Sequence, residues 1–275
     1  HRRGAPGKQA TQSADARRTE EEKNKQAEAP QKRAEEAVKD VGRAGTGMGK
    51  PAVKKELTEA DWFQKGRAQQ KSGNLREAID AYNKVIERNP RNAEAYYGRG
   101  NAYSALGNKE QAIRDYDRVI ELNPRYTEAY NNRGNAYYAL GNKKQAIRDY
   151  DKAIELNPRY AATYYNRGNA YHELGDREQA IKDYDKVIEL NPVLAKAYTN
   201  RGVAYNALGN RQQAINDYDK AIELNPQYAE AYYNRAVAVY AQSKDEQAFT
   251  QDLKMAAHLD FKKAQDYLRA QGIPW

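Results

Sequence analysis

The chain has no cysteine, which excludes disulfides, thiolate metal sites and thiol catalysis. It has three histidines, His1, His172 and His258, and they form no HExxH, paired-ligand or nucleophile–histidine–acid spacing. No run of about 18 apolar residues occurs, so nothing in the sequence reads as a membrane-spanning helix. The glycines form no phosphate-cradling loop of the GxxxxGK(S/T) or post-strand GxGxxG kind. An enzyme, a bound metal and a cofactor are therefore not expected from these residues.

Aromatic residues are also missing from the first fifth of the chain. None precedes Trp62, and all 23 tyrosines lie at Tyr82 or later. Residues 1–57 cannot build a core, and they carry 14 Lys/Arg against 9 Asp/Glu. Most of the net charge of +8 thus belongs to this tail and not to a basic folded surface, which argues against a nucleic-acid partner. Residues 42–51, GRAGTGMGKP, read as a linker. The tail is expected to be disordered alone or ordered by a partner. The sequence begins at His1, which leads to the expectation that a signal peptide or anchor once preceded it. The corresponding setting is bacterial, exported or membrane-associated, with the membrane reached only through that segment or the basic tail.

What is present is periodic. Pro90, Pro124, Pro158, Pro192 and Pro226 are 34 residues apart, and so are Gly73, Gly107, Gly141, Gly175 and Gly209. Gly66, Gly100, Gly134, Gly168 and Gly202 keep the same step, as do the alanines from Ala78 to Ala248. The period defines units at 59–92, 93–126, 127–160, 161–194, 195–228 and 229–261. Each reads as helix, turn, helix. In 127–160, Tyr130, Gly134 and Tyr137 share one helix face, Gly141 sits where a left-handed cap belongs, and Ala146, Ile147, Tyr150, Ala153 and Ile154 form a second apolar stripe. Asn157-Pro158 ends the second helix.

These residues, in this order and at this period, resemble the tetratricopeptide repeat (TPR) family over about 59–261. The resemblance implies an all-α, right-handed α-solenoid of about six helix-turn-helix repeats whose first helices line a concave groove. A repeat cannot bury its own apolar face, so neighbours complete each other's core. The domain reading is a tail at 1–57 and a solenoid at 58–275. A capping helix at about 261–272 carries Phe261, Ala264, Tyr267 and Leu268. The sixth unit departs from the pattern: Ala236 replaces the helix glycine, Ser243 replaces the turn glycine, and Asp252 falls where a core tyrosine is expected, as if the helix had rotated.

In the first helices a second face remains once the core face is removed. Along the chain it presents Tyr97 and Asn101, then Asn131, Asn132, Asn135 and Tyr138. Tyr165, Asn166 and Asn169 follow, then Lys196 and Asn200, and last Tyr233. Asparagine supplies an acceptor and donors at fixed reach, and tyrosine supplies contact area at low entropic cost. These residues are read as a groove for an extended peptide or partner segment. The family's carboxylate clamp is matched at Asn135, Asn166 and Lys196, but Asn131 and Asn200 stand where cations belong, which argues against capture of a free carboxylate. Units 93–126 and 127–160 agree at 27 of 34 positions, so duplication alone could also have copied the asparagines.

Arg99, Arg133, Arg167, Arg201 and Arg235 recur in the first helices, and Asp115, Asp149, Asp183 and Asp217 in the second. Arg–Asp pairs between helices, setting register, are expected. The function expected is a non-enzymatic scaffold or adaptor with a protein or peptide partner. The alternatives are a structural protein that self-assembles or docks into a larger complex, and an RNA-binding helical repeat. The last lacks the groove cations that phosphates require.

Overall fold

Thr58 opens the first helix with a reciprocal cap: its N–H donates to Asp61 Oδ2 at 2.9 Å, and the Asp61 N–H donates to Thr58 Oγ1 at 3.2 Å. From there the computed structural model describes an all-α chain. It covers residues 56–275, and residues 57–275 form one compact unit. The tail and linker expected before that unit lie outside the described residues.

Among the described residues there are thirteen helices and no strand. They are α1 (Glu59–Lys71), α2 (Leu75–Arg88), α3 (Ala93–Ala105), α4 (Lys109–Leu122), α5 (Thr127–Ala139), α6 (Lys143–Leu156) and α7 (Ala161–Leu174). They continue with α8 (Arg177–Leu190), α9 (Ala195–Ala207), α10 (Arg211–Leu224), α11 (Ala229–Ser243), α12 (Glu246–His258) and α13 (Lys262–Ala270). Each helix packs on the next, giving six helix pairs and a final single helix. First helices of successive pairs also touch one another, whereas no comparable contact joins successive second helices. The stack therefore closes up along the first helices, and these form its inner face.

The turn within a repeat depends on glycine. Gly141 has φ +80°, and behind it the Asn142 N–H donates to the Tyr137 carbonyl at 2.8 Å, closing the helix end. The second helix of each of the first five repeats ends at an Asn-Pro pair, as at Asn157, whose side-chain oxygen accepts the Arg159 N–H at 3.1 Å.

A second glycine makes the core possible. Tyr82, Tyr116, Tyr150, Tyr184 and Tyr218 are the largest fully buried side chains of the repeats. A Cβ placed on Gly134 would stand 2.6 Å from Tyr150 Cε1 and 3.2 Å from the Ala146 carbonyl oxygen. Only a residue without a side chain lets the ring lie flat against the first helix.

The arginines do form pairs, and they do more than join the two helices of one repeat. Arg133 donates through Nε and Nη2 to both oxygens of Asp149, at 2.8 and 2.7 Å, and through Nη1 to Asp117 of the preceding repeat at 2.6 Å. Arg167, Arg201 and Arg235 repeat this three-way bond, while Arg99 meets Asn83 in place of the second aspartate. Burial pushes the Asp149 carboxyl up, and the Arg133 hydrogen bonds and charge oppose that. The result is a buried, bidentate ion pair in the second to sixth repeats, linked in the third to sixth by a more exposed one to the repeat before.

The sixth repeat keeps the pair by a different route. Helix α11 runs to Ser243, and Lys244 takes the left-handed turn conformation at φ +57°. This adds one residue to the repeat. Arg235 consequently pairs with Asp252 at a separation of 17 residues, against 16 elsewhere. Asp252 is thus the counterpart of Asp217, and Leu253 that of the core tyrosine. The expected rotation of the helix is in fact a register shift, and half-buried Phe249, not Ala248, takes the place of the buried alanine. With leucine in the core, the facing glycine is no longer required, and Ala236 occupies it fully buried. Helix α13 then covers the end through Ala264 and Leu268.

Candidate functional site: the inner face

The inner-face asparagines are engaged first with their own scaffold. Tyr150, whose ring lies on Gly134, donates its hydroxyl to Asn135 Oδ1 at 2.8 Å; Tyr116 does the same to Asn101, and Tyr184 to Asn169. Burial holds these phenols well above their ordinary pKa, so each remains a donor. In these three repeats the asparagine satisfies a hydroxyl that would otherwise be stranded, and Gln70 does the same for Tyr82 in the first.

Around this link two patterns alternate along the chain. In one, Asn132 Nδ2 donates to Asn101 Oδ1 at 2.9 Å and to the Tyr97 hydroxyl at 3.0 Å, while the Tyr97 ring packs on Tyr126 with centroids 5.0 Å apart. Two repeats later Asn200 makes the same bonds to Asn169 and Tyr165, at 2.9 and 3.1 Å. Tyr165 packs beside Leu194, and Tyr233 on Phe261 with centroids 5.0 Å apart.

The intervening repeats carry Asn131 and Thr199 at the position of these tyrosines. Asn131 is expected in the groove, but it is only 4% exposed. Its Nδ2 donates to Asn132 Oδ1 at 3.1 Å, and its Oδ1 accepts from Thr163 at 3.1 Å and from Asn166 at 3.2 Å. Its amide joins the first helices of two successive repeats, α5 and α7, and offers nothing to a ligand. The neighbouring repeat's Thr163 covers it, a contact between sequence-distant residues that the helix face alone does not reveal.

Four positions retain capacity toward the inner face. Asn135 is exposed, and with Oδ1 filled by Tyr150 its Nδ2 has no partner among the described residues. Asn166 is the reverse: its Nδ2 is bound to Asn131, and its carbonyl oxygen has no donor among the described residues. Lys196 is exposed beside a recess of about 310 Å³ that also involves Tyr165, Asn166 and Leu194. Tyr138 donates to Glu173 of the next repeat.

The inner face is also less neutral than its asparagines suggest. Glu94 accepts the Tyr126 hydroxyl at 3.0 Å, Glu173 lies 3.0 Å from Lys143, and Glu230 accepts from Tyr228 at 3.2 Å. A further recess of about 500 Å³ at the first repeat is lined by Phe63, Arg67, Gln70, Tyr97 and Asn101. The recurrence of Glu94, Glu128 and Glu230 at one repeat position is the signal in the sequence that marks the acidic edge. Toward the end of the stack, Val203 and Val237 replace the tyrosine-bound asparagine.

Comparison with known proteins follows the same geometry. The tetratricopeptide repeat description matches residues 63–127, 115–148, 161–192, 195–228 and 217–249, and the TPR repeat description matches 134–175. Curated proteins give no significant match. Among solved structures, MamA protein is similar at 31% identity, with 62% of this chain and 94% of that one covered and a TM-score of 0.57. YrrB, described as a TPR protein with an unusual peptide-binding site, is similar at 25% identity, covering 70% and 99% of the two chains with a TM-score of 0.59. A chain of the APC/C hetero-tetramer Cut9-Hcn1 matches at 19% identity, covering 79% and 43% with a TM-score of 0.63, and shares the fold alone.

Proposed function

Because the chain belongs to the tetratricopeptide repeat family, we propose that it is a non-enzymatic interaction scaffold whose inner face binds an extended segment of a protein partner. The observation that carries this is the complementary pair at Asn135 and Asn166. One presents an unused amide donor and the other an unused carbonyl acceptor, on adjacent repeats of the inner face. An extended backbone offers both an acceptor and a donor at each residue, so the pair can hold it without reading its side chains. The half-buried tyrosines Tyr97, Tyr165 and Tyr233 supply rigid apolar edges for the same segment. The likeness to YrrB, a TPR protein described as having a peptide-binding site, supports the reading.

Selection of random dodecapeptides on the full chain tests it. Peptides are expected to be enriched, and their binding is expected to weaken on Asn166→Ala and on Tyr138→Ala while Arg148→Ala, on a second helix, leaves it unchanged. No enrichment, or binding indifferent to both inner-face substitutions, would refute the proposal.

A further inference from the structure

The repeats are close copies, so an inner-face position at which one repeat departs from the rest identifies a place with its own chemistry. One such residue, Glu173, lies in α7 beside His172. Glu173 stands where four other repeats have Ala105, Ala139, Ala207 and Ala241 and the first has Lys71, and His172 occupies a position that varies along the chain as Gln70, Ser104, Tyr138, Asn206 and Tyr240. Both line a recess of about 320 Å³ together with Tyr138, Tyr184, Val203 and Glu230.

The charges in this recess do not cancel. Glu173 is held by the Tyr138 hydroxyl and by Lys143 at 3.0 Å, and these contacts keep its carboxyl below the usual range. Glu230 accepts only a tyrosine hydroxyl and has no cation partner among the described residues. Two carboxylates thus face one lysine. The other cation beside His172, Arg177, is turned to the carbonyl of Gly175 at 3.1 Å. Burial, and then Arg177, lowers the His172 pKa, so the imidazole is neutral at pH 7 and adds no charge. Its Nδ1 is buried and has no hydrogen-bond partner. The recess also has an apolar side: Val203 replaces the asparagine found one, two and three repeats earlier, next to the ring of Tyr184.

We infer that this recess receives a basic side chain, lysine or arginine, from the segment bound along the inner face. The inference rests on the groove reading above and adds a specificity to it. A long aliphatic stem lies against Val203 and Tyr184, and its charged head meets Glu230, with Glu173 as the second carboxylate. A carboxylate or phosphate would meet two like charges there. A bare metal ion is the wrong guest, because among the described residues no three acidic or histidine side chains converge as ligands would.

The test uses random dodecapeptides selected on the full chain, followed by fluorescence anisotropy of one enriched peptide. Enriched sequences are expected to share Lys or Arg at one register position. Replacing that residue by citrulline or norleucine should weaken binding about tenfold, and Glu230→Gln should weaken the parent peptide by a similar factor while leaving the citrulline peptide unaffected. Enriched peptides without a shared basic residue, or with affinities indifferent to Glu230→Gln, would overturn the recess inference and leave the groove reading intact. Failure to enrich any peptide would overturn both. Thermal melts of Glu230→Gln should match the parent chain, since the side chain is exposed.

Discussion

The interior repeats and the sixth repeat solve the same packing problem with different residues, and the difference separates what is coupled from what is free. In the interior, a glycine in the first helix admits a tyrosine ring from the second. In the sixth repeat both partners change together, to Ala236 and Leu253. The arginine–aspartate bond survives an added residue, because Asp252 moves into register with Arg235. Core features therefore vary as pairs. Inner-face positions do not: Asn101, Asn135 and Asn169 give way to Val203 and Val237, yet Tyr218 stays in the core opposite the first of these valines.

Breaking the coupled pairs should have the largest effects. Arg167→Ala leaves Asp183 buried without its partner and should cost about 3–5 kcal/mol in urea unfolding. Arg167→Met combined with Asp183→Leu should recover most of that loss. Gly134→Ala places a methyl group against the Tyr150 ring and should destabilise by about 1–3 kcal/mol, whereas Tyr150→Leu in the same chain should relieve it, reproducing the sixth repeat's combination. If Gly134→Ala is as harmless with tyrosine as with leucine, the glycine and the ring are not coupled.

A smaller effect distinguishes two asparagines of α5. Asn131→Ala strands the Thr163 hydroxyl and the Asn166 amide, and should cost about 1–3 kcal/mol. Asn135→Ala loses one part-buried bond from Tyr150, worth about 1 kcal/mol, and alanine's helix preference offsets about half of it. Equal losses would contradict the division between a buried amide and an inner-face one.

Much of this architecture is legible in the sequence, because the 34-residue period fixes the helices, the turns and the recurrence of arginine with aspartate. The site is legible only by position. Asn131 and Asn135 are one helical turn apart and read as one face; what separates them is Thr163, which comes from the next repeat. The bond from Tyr150 to Asn135 is likewise invisible to helix periodicity, although the two residues recur together at a constant spacing in three repeats. In the sixth repeat a strict period misleads by one residue, because Lys244 adopts the turn conformation that glycine supplies elsewhere.

The smallest expected effect concerns acid. Because burial lowers the His172 pKa from its ordinary 6.5, the unfolded chain holds the proton more readily. Stability attributable to this residue is then complete above about pH 6.5 and declines as pH falls through the folded value. The melting-temperature difference between the parent chain and His172→Gln should narrow or reverse between pH 7.5 and 5.5.

The most direct test of the inner face separates its binding role from its internal bond. Tyr150→Phe removes the hydroxyl and frees Asn135 from its structural task, so adding Asn135→Ala in that background leaves no core group unpaired. Affinity for a selected peptide, measured by anisotropy, should be unchanged by Tyr150→Phe and weakened about fivefold or more by the further loss of Asn135. Equal affinities for the two variants would show that Asn135 serves the tyrosine alone and that no peptide backbone lies across it.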